Sequence, residues 1–180
     1  MAEERIDVLD ESGRKTGATK TKKEAHKRGL WHGASHIWIY NTKGKILLQK
    51  RSMEKDSWPG KWDVSAAGHI SAGETPKKAA LRELKEEVGI SAKPTDLKRI
   101  IVSKDCVKLR DNYDNKEFQS VYLYKLSKIP KELQKEEVEA VKFVPLSELE
   151  RELKDPRKSD KYVPHGYYPD LVKILKKFIG

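Results

Sequence analysis

Three glutamates, Glu83, Glu86 and Glu87, stand at i, i+3 and i+4 in the stretch from Thr75 to Ile90. On a helix those offsets bring the carboxylates onto one patch. Carboxylates this close repel one another, and a hard cation relieves the repulsion. Oxygen ligands of this kind suit Mg²⁺ or Mn²⁺. Mg²⁺ commonly combines a few protein carboxylates with phosphate oxygens of a substrate, so the cluster points to diphosphate chemistry. Arg82 can pair with a neighbouring carboxylate and hold it in one rotamer. Glu74 lies beside the start of the same segment, where negative charge is favoured, and is placed to tie a loop to the helix.

The positioning helix is readable. Thr75 offers a hydroxyl cap and Pro76 sits at the first helical position, where its missing N–H costs nothing. Gly89 is a helix stop that tolerates a left-handed cap. Between them Ala80, Leu81, Leu84 and Val88 form an apolar stripe. Around this helix the pattern predicts a hairpin over residues 6–18 turning at Ser12-Gly13, and a short helix over Lys22–Arg28. Strands are expected at Ser35–Tyr40 and Lys45–Lys50, joined by a turn over Asn41–Gly44. The loop from Trp58 to Trp62 leads to a short strand, Asp63–Ala67. Further strands are expected at Leu97–Lys104, Phe118–Leu126 and Val141–Val144. Helices follow at Leu146–Lys154 and Pro169–Phe178, the latter with Leu171, Ile174, Leu175 and Phe178 on one face. Strands mixed with helices in this order imply an α+β fold, a mixed β-sheet sandwiched between helices. We expect one domain over 1–180: an N-terminal hairpin extension at 1–33, a core at 34–150, and a C-terminal loop and helix at 151–180.

At 180 residues the chain is long enough for one domain with a real core. It holds no apolar run near the length of a membrane span, and its polar start, Met1-Ala-Glu-Glu-Arg5, carries no secretory signal. A lone cysteine, Cys106, excludes an internal disulfide and fits a reducing, cytoplasmic setting. The formal net charge of +10 around an acidic metal site suggests an anionic substrate drawn in by Lys and Arg. The positive residues are spread along the chain with no aromatic-spaced recognition motif, which disfavours nucleic acid. Much of the excess reads as a solubilising lysine-rich surface.

Residues 68–90 match in full the pattern G-x5-E-x7-R-E-U-x-E-E-x-G-U, where U is a bulky aliphatic: Gly68, Glu74, Arg82-Glu83-Leu84, Glu86-Glu87, Gly89-Ile90. The chain therefore resembles the Nudix hydrolases, which cleave diphosphate-linked substrates with divalent metal. A solvated acidic helix face would not account for Gly68, Glu74 and Arg82 at these offsets. The resemblance implies the Nudix fold and a metal set of Gly68, through its carbonyl, with Glu83, Glu86 and Glu87.

The flanks resemble one branch, the type I isopentenyl-diphosphate isomerases. The likeness runs from about residue 5 to residue 126, through Lys22, His26, His32, Gln49-Lys50-Arg51, Lys55, Trp58-Pro-Gly-Lys-Trp62 and Gly68-His69. It implies a second, transition-metal site at His26, His32, His69 and Glu117, where imidazoles favour Mn²⁺, Zn²⁺ or Fe. One carboxylate of that family's site is replaced by Asn115. The resemblance also implies that Lys22, Arg51 and Lys55 grip the diphosphate. Two features depart from the isomerases. Their essential cysteine corresponds here to Ala67, while the 82–87 segment that is degenerate in them is intact. Their cation-stabilising tryptophan has His165 as its nearest counterpart. His36 and His165 are otherwise taken as satisfied surface or core residues.

The expected activity is divalent-metal-dependent hydrolysis of a diphosphate bond in a small anionic substrate of the nucleoside-diphosphate-X type. Catalytic candidates are Arg82, Glu83, Glu86, Glu87 and Glu117, with either Glu83 or Glu117 as general base. The competing expectations are isomerisation of a prenyl diphosphate, which Ala67 disfavours, and a non-catalytic anion- or RNA-binding module, which the intact motif disfavours. Selectivity is expected in loops around 104–117 and 155–168. The N-terminal hairpin is placed to exchange with a second chain in a homodimer.

Overall fold

The computed structural model describes residues 3–110, 113–126 and 128–179; Met1 of the polar start lies outside them. The chain begins with a hairpin of β1 (Arg5–Leu9) and β2 (Lys15–Thr21). Its turn is held by the Asp10 carboxylate, which accepts from Ser12 N–H at 2.8 Å and Arg14 N–H at 3.0 Å. Gly13 supplies the positive φ of 83° that the turn needs. The hairpin predicted over 6–18 is present and longer. Thr21 then caps α1 (Lys22–Lys27) by accepting from Glu24 N–H, and α1 buries Ala25 and His26.

The longest continuous pairing in the sheet involves β3 (Trp31–Tyr40). It runs parallel to β8 (Tyr113–Lys125) over ten residue pairs, from Trp31↔Lys116 to Tyr40↔Lys125. On its other side it meets β6 (Ala66–His69) from Ala34↔His69 to Ile37↔Ala66, and β4 (Lys45–Arg51) only at Ile39 and Tyr40. β4 carries β5 (Trp62–Asp63) and β9 (Val138–Pro145), while β7 (Lys98–Arg110) pairs with β8. The remaining elements are α2 (Pro76–Val88), a 3-10 turn at Pro94–Asp96, α3 (Leu146–Lys154), α4 (Pro156–Ser159) and α5 (Tyr168–Ile179). Among the described residues no helix is long and apolar enough to cross a membrane.

Alternation along β3 sorts the core into two layers. Ile37 and Ile39 join Ala80, Leu84 and Val88 of α2 on one face. Trp38 joins Val121, Leu149, Leu171 and Leu175 on the other, under α3 and α5. The sheet is thus a mixed one between helices, as expected.

Several details differ from the sequence-based expectations. The strand expected at Asp63–Ala67 is broken into β5 and β6. There the Ser65 hydroxyl donates to Leu47 O at 2.6 Å and accepts from Ile39 N–H at 2.8 Å. It bridges the place where β3 and β4 part, so Val64-Ser65 has no regular ladder to join. The loop expected over 104–117 is mostly a long hairpin of β7 and β8, whose polar residues gave no strand pattern. Glu117 accordingly stands within β8, opposite Asp105. On α5 the buried residues are Tyr168, Leu171, Val172 and Leu175, while Phe178 is exposed. The burial axis is rotated toward Val172 because α5 packs over Trp38 and Leu149.

The cap of α2 yields a stability test. Gly89 has φ 65°, and a Cβ added there would meet Cβ of Glu132 at 2.8 Å and its carbonyl at 3.0 Å. Gly89→Ala should cost about 1–3 kcal/mol from the left-handed conformation and the crowding. A urea midpoint equal to wild type would show that the segment around Glu132 is not seated against this cap.

Candidate active site

The register just given decides which side chains meet. Residues facing each other in neighbouring strands share a face, so His32 and Glu117, Ala34 and Gln119, and His36 and Val121 point the same way. His69 and Ala67 of β6 join them opposite Ala34 and His36. On this face Trp38 and Val121 lie under α5, and the stretch beyond them forms the floor of a cavity of about 560 Å³. Lys22, Arg51, Lys55, Arg82, Glu83, Glu86, Glu87, Glu117 and Gly68 all border it.

The three helix glutamates do not share one environment. Glu83 and Glu87 belong to the buried face of α2, whereas Glu86 is half exposed at the rim. Glu87 Oε2 accepts from Ala67 N–H at 2.9 Å and from the Gln49 amide at 3.2 Å. The Glu83 carboxylate lies against Gly68 so closely that any Cβ at residue 68 would overlap it. Arg82 clamps the group. Its guanidinium reaches Glu74 at 3.1 Å, Glu83 at 2.5 Å, Glu86 at 3.1 Å and the His69 carbonyl at 2.9 Å. Glu74 also accepts from Ser71 N–H, which ties the loop to the helix.

Burial pushes the Glu87 carboxyl up to about 8, helped by repulsion from Glu83. Burial likewise lifts Glu83 to about 7 against the pull of Arg82. Two buried carboxyls that resist ionising together, beside a backbone stripped of Cβ, are the donor set a hard divalent cation fits.

On the same cavity floor lie the histidines. The candidate ligand atoms of His26, His32 and His69 all fall within 4.8 Å of one another. His26 Nδ1 meets the Tyr113 hydroxyl at 2.8 Å and His32 Nδ1 meets the Leu30 carbonyl at 2.8 Å, so both Nε2 atoms face inward. Glu117 Oε1 is 3.5 Å from His69 Nε2 and 3.9 Å from His32 Nε2. His69 Nε2 is buried with no hydrogen bond. Burial holds His26 down at about 4 and His69 well below its ordinary value, so these imidazoles stay neutral, the form that binds metal.

The three basic residues differ. Among the described residues Lys22 makes no hydrogen bond or ion pair at its ammonium, which leaves it available to phosphate. Lys55 is paired with Glu137. Arg51 spends its guanidinium on Asp63 at 3.0 Å and on the Ser57 carbonyl and hydroxyl, which fixes the loop before β5. Asp63 and His165 form a pair that sequence reasoning missed: His165 Nε2 lies 2.7 Å from Asp63 Oδ1 and its ring stacks on Tyr167. His36 meets the Tyr167 hydroxyl at 2.8 Å, as a satisfied core histidine. No local spacing links residues 63 and 165. Ala67 borders the cavity where the isomerases carry cysteine, and Cys106 is exposed, between the cavity-facing Asp105 and Val107.

Comparison with known proteins identifies the family and the fold. The family model described as NUDIX domain matches residues 30–165. Nudix hydrolase 3 of Arabidopsis thaliana is 46% identical over 98% of this chain, which spans only 24% of that relative. An isopentenyl-diphosphate Delta-isomerase of Corynebacterium diphtheriae is 39% identical over 49% of this chain and 48% of its own. A crystal structure from Deinococcus radiodurans superposes with a TM-score of 0.71 at 20% identity, covering 96% of this chain and 99% of the other.

The raised carboxyl pKa values set a pH dependence. An unfolded glutamate titrates near 4.3, and the folded values of about 7 and about 8 lie above it. The stabilisation is therefore complete below pH ~4.3 and is lost as pH rises through about 7 and then about 8. Metal-free protein should lose urea resistance between pH 5 and 8, and Glu87→Gln should be more stable than wild type at pH 8 without metal. A metal-free wild type that gains stability over this range would contradict the burial of these carboxyls.

Proposed function

The chain belongs to the Nudix family, and on that footing we propose that it hydrolyses a diphosphate bond in a small anionic substrate with divalent metal. Nucleoside-diphosphate derivatives are the class to assay first. The observation that carries the proposal is the buried pair Glu83 and Glu87 set against Gly68 in a cavity that also holds the unpaired ammonium of Lys22. Gly68, Glu83, Glu86 and Glu87 would hold Mg²⁺ or Mn²⁺. When bound, the metal supplies neutralisation of diphosphate charge and a water of lowered pKa.

The protein's own groups do the rest. Lys22 orients phosphate oxygens from the α1 side, and Lys55 does so once its pairing with Glu137 is exchanged for substrate. Arg82 keeps Glu83 in one rotamer through three carboxylate contacts. Of the two candidate bases, Glu83 lies in the carboxylate group that borders the cavity beside Gly68. Glu117 is engaged by the Gln119 amide at 3.0 Å and by the histidines. His26, His32, His69 and Glu117 would hold a separate transition metal. Isomerisation needs an acid on the cavity wall at residue 67, and alanine offers none.

Phosphomonoester formation from a diphosphate panel with Mg²⁺ and Mn²⁺, read as phosphate after an added phosphatase, tests the reaction, with isopentenyl diphosphate included for double-bond migration. Glu87→Gln should lower kcat on the best substrate by about a thousandfold or more with the fold kept, as for groups that act as a unit. Near-wild-type turnover in that variant would refute the metal assignment.

A second experiment addresses the histidines. Protein purified without chelator should carry a transition metal whose content holds through pH ~6.5 and falls only toward about 4, where His26 becomes protonated. His32→Ala should lose that metal and keep Mg²⁺ binding at the glutamates. Equal, negligible content in both proteins by elemental analysis would reduce the histidines to packing.

A further inference from the structure

Beyond the diphosphate cavity lies a larger one of about 900 Å³. The two adjoin: Trp58, Asp105, Val107, Val163, Pro164 and His165 border both. The floor of the second is apolar and rests on Val163, Tyr168 and Val172, with Leu153 and Pro156 along one wall. Its one floor hydroxyl, that of Tyr168, already donates to Val163 O at 2.9 Å.

Each cation around the rim has an acidic neighbour. Lys61 lies 2.9 Å from Asp160, Lys154 and Lys176 each 2.8 Å from Glu150, and Lys173 3.5 Å from Asp170. Asp105 adds a carboxylate at the passage. A second anionic group would therefore compete with these carboxylates for the rim lysines and would face a negative charge on the way in.

The passage itself is built rigidly. Trp58 has φ 52°, a strained conformation for a bulky side chain. Arg51 holds its loop through Ser57, Gly60 N–H returns to Arg51 O at 3.2 Å, and Lys61 lies 4.9 Å over the indole. Opposite, His165 is fixed by Asp63 and stacks on Tyr167 at an interplanar angle of 13°. Strain maintained by this many contacts, at the point where two cavities join, marks a wall that a ligand must pass.

We propose that the second cavity is the subsite for the organic substituent of the diphosphate substrate, and that this substituent is an uncharged, predominantly apolar group extending past Trp58 and His165. The proposal rests on the hydrolase reading above and sets an apolar diphosphate ester ahead of the nucleoside-diphosphate class. A nucleoside is the competing occupant, but its base and ribose would leave polar groups without partners on this floor.

The test measures binding separately from turnover. Calorimetric titration with alkyl monoesters of methylenebisphosphonic acid, methyl to decyl, in the presence of Mg²⁺, should show Kd falling about two- to fourfold per methylene until the groove is filled. The heat-capacity change should grow more negative along the series. Val107→Asp, at the partly exposed passage, should flatten the series, and Val107→Leu should keep it, with circular dichroism checking both folds. A Kd independent of chain length, or tighter binding of adenosine 5′-(α,β-methylene)diphosphate than of the decyl ester, would overturn the subsite. Hydrolysis of the matching alkyl diphosphates is read alongside. A steep binding series without phosphate release in Mg²⁺ or Mn²⁺ would uphold the subsite and refute the hydrolase reading. Release with a flat series would do the reverse.

Discussion

The site depends on burying carboxyl groups of α2 against the backbone of β6. Glu87 takes a hydrogen bond from Ala67 N–H, and Glu83 fills the space that a side chain at Gly68 would occupy. Burying such groups opposes their ionisation, and the raised values of both carboxyls express that opposition. A helix whose inner face carried only Ala80, Leu84 and Val88 would pack more simply. Placing two carboxyls on that face stores an unfavourable interaction of the kind that a bound divalent cation would relieve. Arg82 limits the cost by pairing with the buried Glu83 and the exposed Glu86.

The second constraint is the parity of β3. With a side-chain period of two, one face of this strand presents His32, Ala34, His36 and Trp38 in succession. Under α5 that face is apolar core, and past the helix cover it becomes the floor of a polar cavity. The parallel pairing with β8 then fixes Glu117 beside His32 and Gln119 beside Ala34. A slip of one residue in that pairing would turn Glu117 to the other face. The fold therefore supplies the metal-ready imidazoles and the carboxylate through the same ladder that supplies its stability.

Selectivity has a different origin. The groups that border both cavities come from three places in the chain: the loop before β5, the inner face of β7, and the segment 163–165 leading to α5. Their positions are set by buried polar contacts, chiefly Arg51 and His165 on Asp63. Burial pushes Asp63 up, but His165 and Arg51 outweigh it and hold the carboxyl well below the usual range, so it stays charged between them. This arrangement separates a polar, metal-binding end from an apolar end with little room for a second charge.

The sequence by itself determined the family and the helix that carries its pattern. Cap, proline, stop and apolar stripe are local signals read within one helix, and α2 runs as they require. The family pattern is equally local, and it implies the metal set because side chains three and four apart must neighbour one another. What the sequence left open involves residues far apart. Only the tertiary structure decided that Glu83 and Glu87 are buried while Glu86 is not, since that depends on where β6 crosses α2. Only it turned residues 104–110 and 113–117 into strands, because Asp105, Asn115 and Glu117 line a cavity where an ordinary strand would carry apolar residues. It alone brought His165 to Asp63 across 102 positions of sequence and set Arg51 to holding a loop. Spacing encodes contacts within an element, and contacts between elements follow from strand register and packing, which no local pattern carries.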